Sequence, residues 1–90
     1  MPLLRAMQIE LRNLRRAGAT VVVDAKVHDG SASRSYPITL RVVGTTVQPS
    51  MTITLSRELM DQIFAAVREF SQKNHEKICG LFFGDDRTNQ

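Results

Sequence analysis

Ninety residues with a net charge of +3 and a single cysteine describe one small domain, 1–90, with no internal disulfide. Hydrophobic residues make up 42% and charged residues 23%, which is ordinary globular composition and argues against wholesale disorder. No apolar run approaches the ~20 residues of a membrane span, and residues 1–7 lack the apolar core of a signal peptide, so no membrane partner and a reducing, cytoplasmic setting are expected.

Residues 3–16 read two ways. As a helix, Leu4, Met7, Leu11 and Leu14 share a face. As a strand, Met7, Ile9 and Leu11 alternate with Gln8, Glu10 and Arg12. The strand, over 7–13, is preferred because alternating segments follow it and a meander would pair with it. Residues 1–6 are then a loose leader.

From 20 to 28, Val21, Val23, Ala25 and Val27 point one way and Val22, Asp24, Lys26 and His28 the other, the strongest strand pattern in the chain. Asp29-Gly30 opens a turn, extended by residues 31–35 into a polar loop. Alternation resumes at Tyr36, Ile38, Leu40 and Val42. Pro37 lacks an amide donor and so belongs at a strand start or on an unpaired edge. Gly44 breaks this strand, residues 48–50 read as a turn, and 52–55 as a short strand with Ile53 and Leu55.

Residues 56–74 carry the clearest helix signal. Leu59, Ile63, Val67 and Phe70 recur at three- and four-residue spacing, with Met60 and Phe64 beside them. Ser56 is suited to the N-cap, and Asn74 to a left-handed closing turn. The apolar run 78–83 reads as a short C-terminal strand, and 84–90 as a frayed tail. These elements predict an α+β fold: an antiparallel meander of three or four strands with one main amphipathic helix packed on one face. The expected core comprises Val21, Val23, Val27, Ile38, Leu40, Ile53, Leu55, Leu59, Ile63, Phe64, Val67 and Phe70.

Chemistry is sparse. Cys79 with His28 or His75 and Asp24 is an inventory of nucleophile, base and carboxylate, with nothing in the spacing to assemble it. His75 and Cys79 are the only closely spaced metal-ligand types, to be joined by His28 and by Asp85 or Asp86, and zinc sites normally show paired ligands on two arms. No glycine-rich phosphate loop occurs. No enzyme activity, metal or cofactor is expected.

What remains is binding. The run 78–83 has more apolar surface than a short strand needs, so Ile78, Leu81, Phe82 and Phe83 are the candidate contacts for another protein or a second copy of this chain. The function expected is that of an inhibitor, adaptor or accessory subunit acting by surface occupation. The weaker alternative is nucleic-acid binding. Residues 1–50 hold seven bases against three acids, and residues 51–90 five against six. Arg12, Arg15, Arg16 and Arg34 would then grip phosphates with steep salt dependence, although the chain offers no aromatic platform for stacking bases.

Overall fold

The period-two segments form a sheet of four strands, seen in a computed structural model that describes residues 8–30 and 32–84. Strands β1 (Gln8–Ala17), β2 (Thr20–Asp29), β3 (Ala32–Val43) and β4 (Thr46–Ser50) pair antiparallel in the order β1-β2-β3-β4. The registers leave two residues between the paired ends of each hairpin, beginning at Gly18, Gly30 and Gly44. Each loop opens on a glycine with φ between +64° and +66°. A two-residue hairpin needs positive φ to match the twist of its strands, and glycine adopts it without steric cost.

These tight loops correct two sequence expectations. β3 starts at Ala32, so residues 32–35 extend a strand instead of forming a polar loop. The last strand is Thr46–Ser50, starting directly after Gly44-Thr45, and residues 52–55 lie outside the sheet. Pro49 fits within β4 because Val43 and Thr46 form the hydrogen-bonded pair closing the hairpin. Alternate residues Val47 and Pro49 therefore direct their backbone groups to the free edge. The same alternation turns the position of the missing Pro37 amide toward the β4 side of β3. The pairing with β4 stops at Thr39, so no ladder bond is lost there.

Residue 7 lies outside the described residues, and β1 runs past the expected end at residue 13, to Ala17. Its register shifts between Arg12 and Arg15, where Asn13 (φ +60°) and Leu14 form a β-bulge. The Asn13 side-chain amide donates to Asp24 at 3.2 Å. Past the bulge the in–out alternation is reset: Arg15 lies beside Val22, and Arg16 beside the buried Val21.

Two helices cover one face. Helix α1 (Arg57–Lys73) starts at Ser56, whose hydroxyl accepts the Leu59 amide at 3.3 Å. At its other end the backbone and side-chain amides of Asn74 both donate to the Phe70 carbonyl at 2.9 Å. Asn74 has φ −120° and not the expected left-handed turn, so the chain re-enters a helix at once. This second helix, α2 (His75–Phe83), corrects the expected C-terminal strand. A six-residue apolar run is consistent with either structure by periodicity. Here Ile78, Leu81 and Phe82 stand at the i, i+3, i+4 positions that put a helix face on the core, and left-handed Gly84 ends the helix. α1 touches the outer strands β1 and β4, while α2 lies over β1, β2 and β3. No described helix is long and apolar enough to cross a membrane.

The core is Val21, Val23, Ala25 and Val27 of β2, Ile38, Leu40 and Val42 of β3, Ile63 and Val67 of α1, and Ile78 of α2. Leu55, Leu59 and Phe70 pack around its margin. Two expected core residues fall outside it: Ile53 is exposed, and Phe64 is half-buried beside β4. Of the expected leader 1–6 and tail 84–90, only Gly84 is among the described residues, where it closes α2.

Candidate functional site

The apolar residues of α2 divide by depth. Ile78 is fully buried and belongs to the core, so it is no surface contact. Leu81 and Phe82 are half-buried and pack against the core. Phe83 is 66% exposed and meets Phe82 edge-to-face, with ring centroids 5.2 Å apart. Gly84 follows, and the Arg16 guanidinium lies against its α-carbon. Arg16 also donates from Nε to the Gly18 carbonyl at 3.0 Å. An arginine from β1 thus stands at the C-terminal end of α2, whose last turn has no basic residue of its own. Cations are favoured at that end by the helix dipole. An exposed aromatic ring, Phe83, and the Arg16 guanidinium at Gly84 thus belong to adjacent positions at the end of α2.

The four arginines suggested for phosphate binding are not brought together. Arg12 and Arg15 lie beside Asp24 and Val22, on the sheet face opposite the helices. Arg16 and Arg34 lie beside Val21 and Val27, on the helix face. The latter two stand at opposite ends of β2, roughly 20 Å apart at ~3.3 Å per residue. Arg12 faces Glu10 at 3.6 Å and Arg15 faces Asp24 at 3.2 Å, so both already have a carboxylate beside them. Exposed pairs of this kind contribute ~0–1 kcal/mol.

The open face also holds a row of three polar side chains that sequence inspection did not single out. His28 lies opposite Ser33 across the β2–β3 hairpin, and its Nδ1 is 2.9 Å from the Ser33 hydroxyl. Its Nε2 is 3.3 Å from Glu10 Oε1. A carboxylate only accepts, so Nε2 carries the proton, and in the neutral ring Nδ1 accepts from Ser33. Hydroxyl, imidazole and carboxylate in series are the parts of a nucleophilic relay. Glu10 and Ser33 are both exposed on a flat strand face, and the row ties β1, β2 and β3 together. The hydrogen bond from His28 is the largest cause holding the Glu10 carboxyl below its ordinary range; partial desolvation opposes it, and nearby Arg12, His28 and Lys26 assist. A depressed folded-state pKa contributes stability above the unfolded pKa, and that contribution is lost as pH falls through the folded one. His28→Ala should therefore raise the Glu10 midpoint toward the ordinary glutamate range. Carboxyl NMR titration reads this directly. An unmoved midpoint would assign the shift to Arg12 and Lys26 instead.

The suggested Cys79 constellation does not form. Cys79 Sγ is 3.8 Å from the His75 ring nitrogens, but His28 and Asp24 are on the other side of the sheet. His75 directs Nε2 to the Thr45 carbonyl at 3.1 Å, fastening the start of α2 to the β3–β4 turn. Among the described residues no group of three His, Cys, Asp or Glu could hold a metal ion. Asp85 and Asp86 lie outside them.

No protein-family model, curated protein or solved structure matches the chain.

One surface was missed entirely from sequence. α1 and β4 enclose a groove of about 520 Å³, lined by Val47, Pro49, Asp61, Phe64, Ala65 and Arg68. A smaller hollow continues from Val47 and Arg68 to Thr45 and His75, and Ser71 lines it. The Ser71 hydroxyl is buried without a hydrogen-bond partner among the described residues. The signal in the sequence was the crowding of apolar residues on α1: Leu59, Met60, Ile63, Phe64, Val67 and Phe70 form a band wider than one contact line, and Phe64 stands at its edge.

Proposed function

We propose that this chain is a small protein-binding module that occupies a surface of another protein and performs no catalysis. The observation that carries this reading is Phe83, a large aromatic side chain 66% exposed at the end of a helix whose other apolar residues turn inward. Phe82 meets the ring edge-to-face, and an aromatic side chain has only two rotatable bonds to fix on contact. Aromatic residues and arginine are enriched among the side chains that dominate binding energies. Phe83 and Arg16 together fit a partner with an apolar pocket and a carboxylate at its rim.

The test compares the tagged wild-type chain with Phe83→Asp in native lysate, with and without nuclease, read by mass spectrometry. A stoichiometric protein that survives nuclease and disappears with Phe83→Asp supports the reading. The same captured set from both chains contradicts it. Capture that vanishes with nuclease would transfer the argument to Arg12, Arg15, Arg16 and Arg34.

A further inference from the structure

Along α1, Asp61, Phe64, Ala65 and Arg68 stand at i, i+3, i+4 and i+7, which places them on one stripe of the helix. This stripe forms one wall of the groove beside β4. Phe64 differs from Leu59 and Phe70 in taking no part in the packing around the core. Asp61 and Arg68 are exposed, and among the described residues neither has an ion-pair partner.

The stripe is its own complement. A twofold axis through the midpoint between Phe64 and Ala65 sets a second α1 antiparallel to the first. Asp61 then meets Arg68 of the second copy, and Arg68 meets its Asp61. The large Phe64 ring meets the small Ala65 on each side. Isologous dimers require this reciprocity, in which residue i meets j and j meets i. Large-against-small pairing also lets two helices approach to the usual ~8–10 Å.

We propose that α1 is a self-association face, with a second copy of this chain docked antiparallel through Asp61, Phe64, Ala65 and Arg68. Pairing of β4 edge to edge is the less favourable geometry. The free edge of β4 offers backbone groups at Val47 and Pro49 only, and Pro49 has no amide to donate. A contact centred on one helix stripe is at the lower end of interface sizes, so the dimer is reversible and concentration-dependent. The proposal goes beyond the Phe83 reading and shares no residue with it.

Sedimentation equilibrium of the full chain over a range of concentrations tests it, using wild type, Asp61→Arg, Arg68→Asp and the double variant. Either single reversal turns both symmetry-related pairs into like-charge contacts, and each should weaken dimerisation about tenfold or more. The double variant restores opposite charges and should recover wild-type association. Phe83→Asp should leave the dimer intact. Wild type that stays monomeric throughout, single reversals without effect, a double variant that does not recover, or loss of the dimer in Phe83→Asp would each overturn the proposal. Both charged positions are exposed, so circular-dichroism melts of all the variants at concentrations where the chain is monomeric should match wild type.

Discussion

Ile78→Ala should destabilise the domain by about 2–5 kcal/mol, the range for truncating a buried isoleucine to alanine. Ile78 is fully buried and is the only residue of α2 in the innermost core, alongside Ile63 and Val67 of α1. A domain of this size has a total stability of roughly 5–15 kcal/mol, so the loss is a large share of it. Phe83→Ala, five residues on, removes a larger side chain from a mostly exposed position and should change stability by only ~0.5 kcal/mol. Urea unfolding measures both, provided the slope with denaturant stays constant. Equal costs would mean that α2 is not docked through Ile78. The same reasoning predicts that a chain stopped after Lys77 will not fold.

Ile63→Ala and Phe64→Ala should separate just as sharply, although the residues are neighbours and the sequence places both in the core. Ile63 is fully buried against the sheet, so its truncation should cost about 2–5 kcal/mol. Phe64 is half-buried beside Val47 and Pro49, and its truncation should cost about 1 kcal/mol at concentrations where the chain is monomeric. A larger cost for Phe64 than for Ile63 would mean that α1 is rotated about its axis relative to the sheet.

Much of the fold was legible. The Val21–Val27 alternation set the inward face of the sheet, and Ser56 and Asn74 marked both ends of α1. The hairpins were legible only in part. Glycine followed by a small residue occurs at Gly18-Ala19, Gly30-Ser31 and Gly44-Thr45, each between alternating segments. Reading all three as two-residue loops fixes the registers, places the last strand at Thr46–Ser50, and sets His28 opposite Ser33. Treating residues 31–35 as a loop hid that pairing. The bulge at Asn13 was harder, because it resets which β1 residues face inward and so separates Arg15 from Arg16. The type of the last element was not decidable from its apolar run alone. Docking in the fold buries Ile78, leaves Phe83 outside, and supports the helix.

The two surfaces proposed for binding follow from that docking. α2 turns Ile78 inward and Phe83 outward, while α1 turns Ile63 inward and leaves Phe64 beside β4. The opposite sheet face, with Glu10, Lys26, His28 and Ser33, is covered by neither helix. A partner reached through α2 and a second copy reached through α1 approach by different residues, so variants of one can be scored against the other.

The most direct test is hydroxyl-radical footprinting of the folded chain, comparing oxidation of Phe83 with that of Ile78, each normalised to the unfolded chain. Phe83 should be modified nearly as fast folded as unfolded, and Ile78 should be strongly protected. Protection of both, or of neither, would contradict a helix that anchors one residue in the core and displays the other.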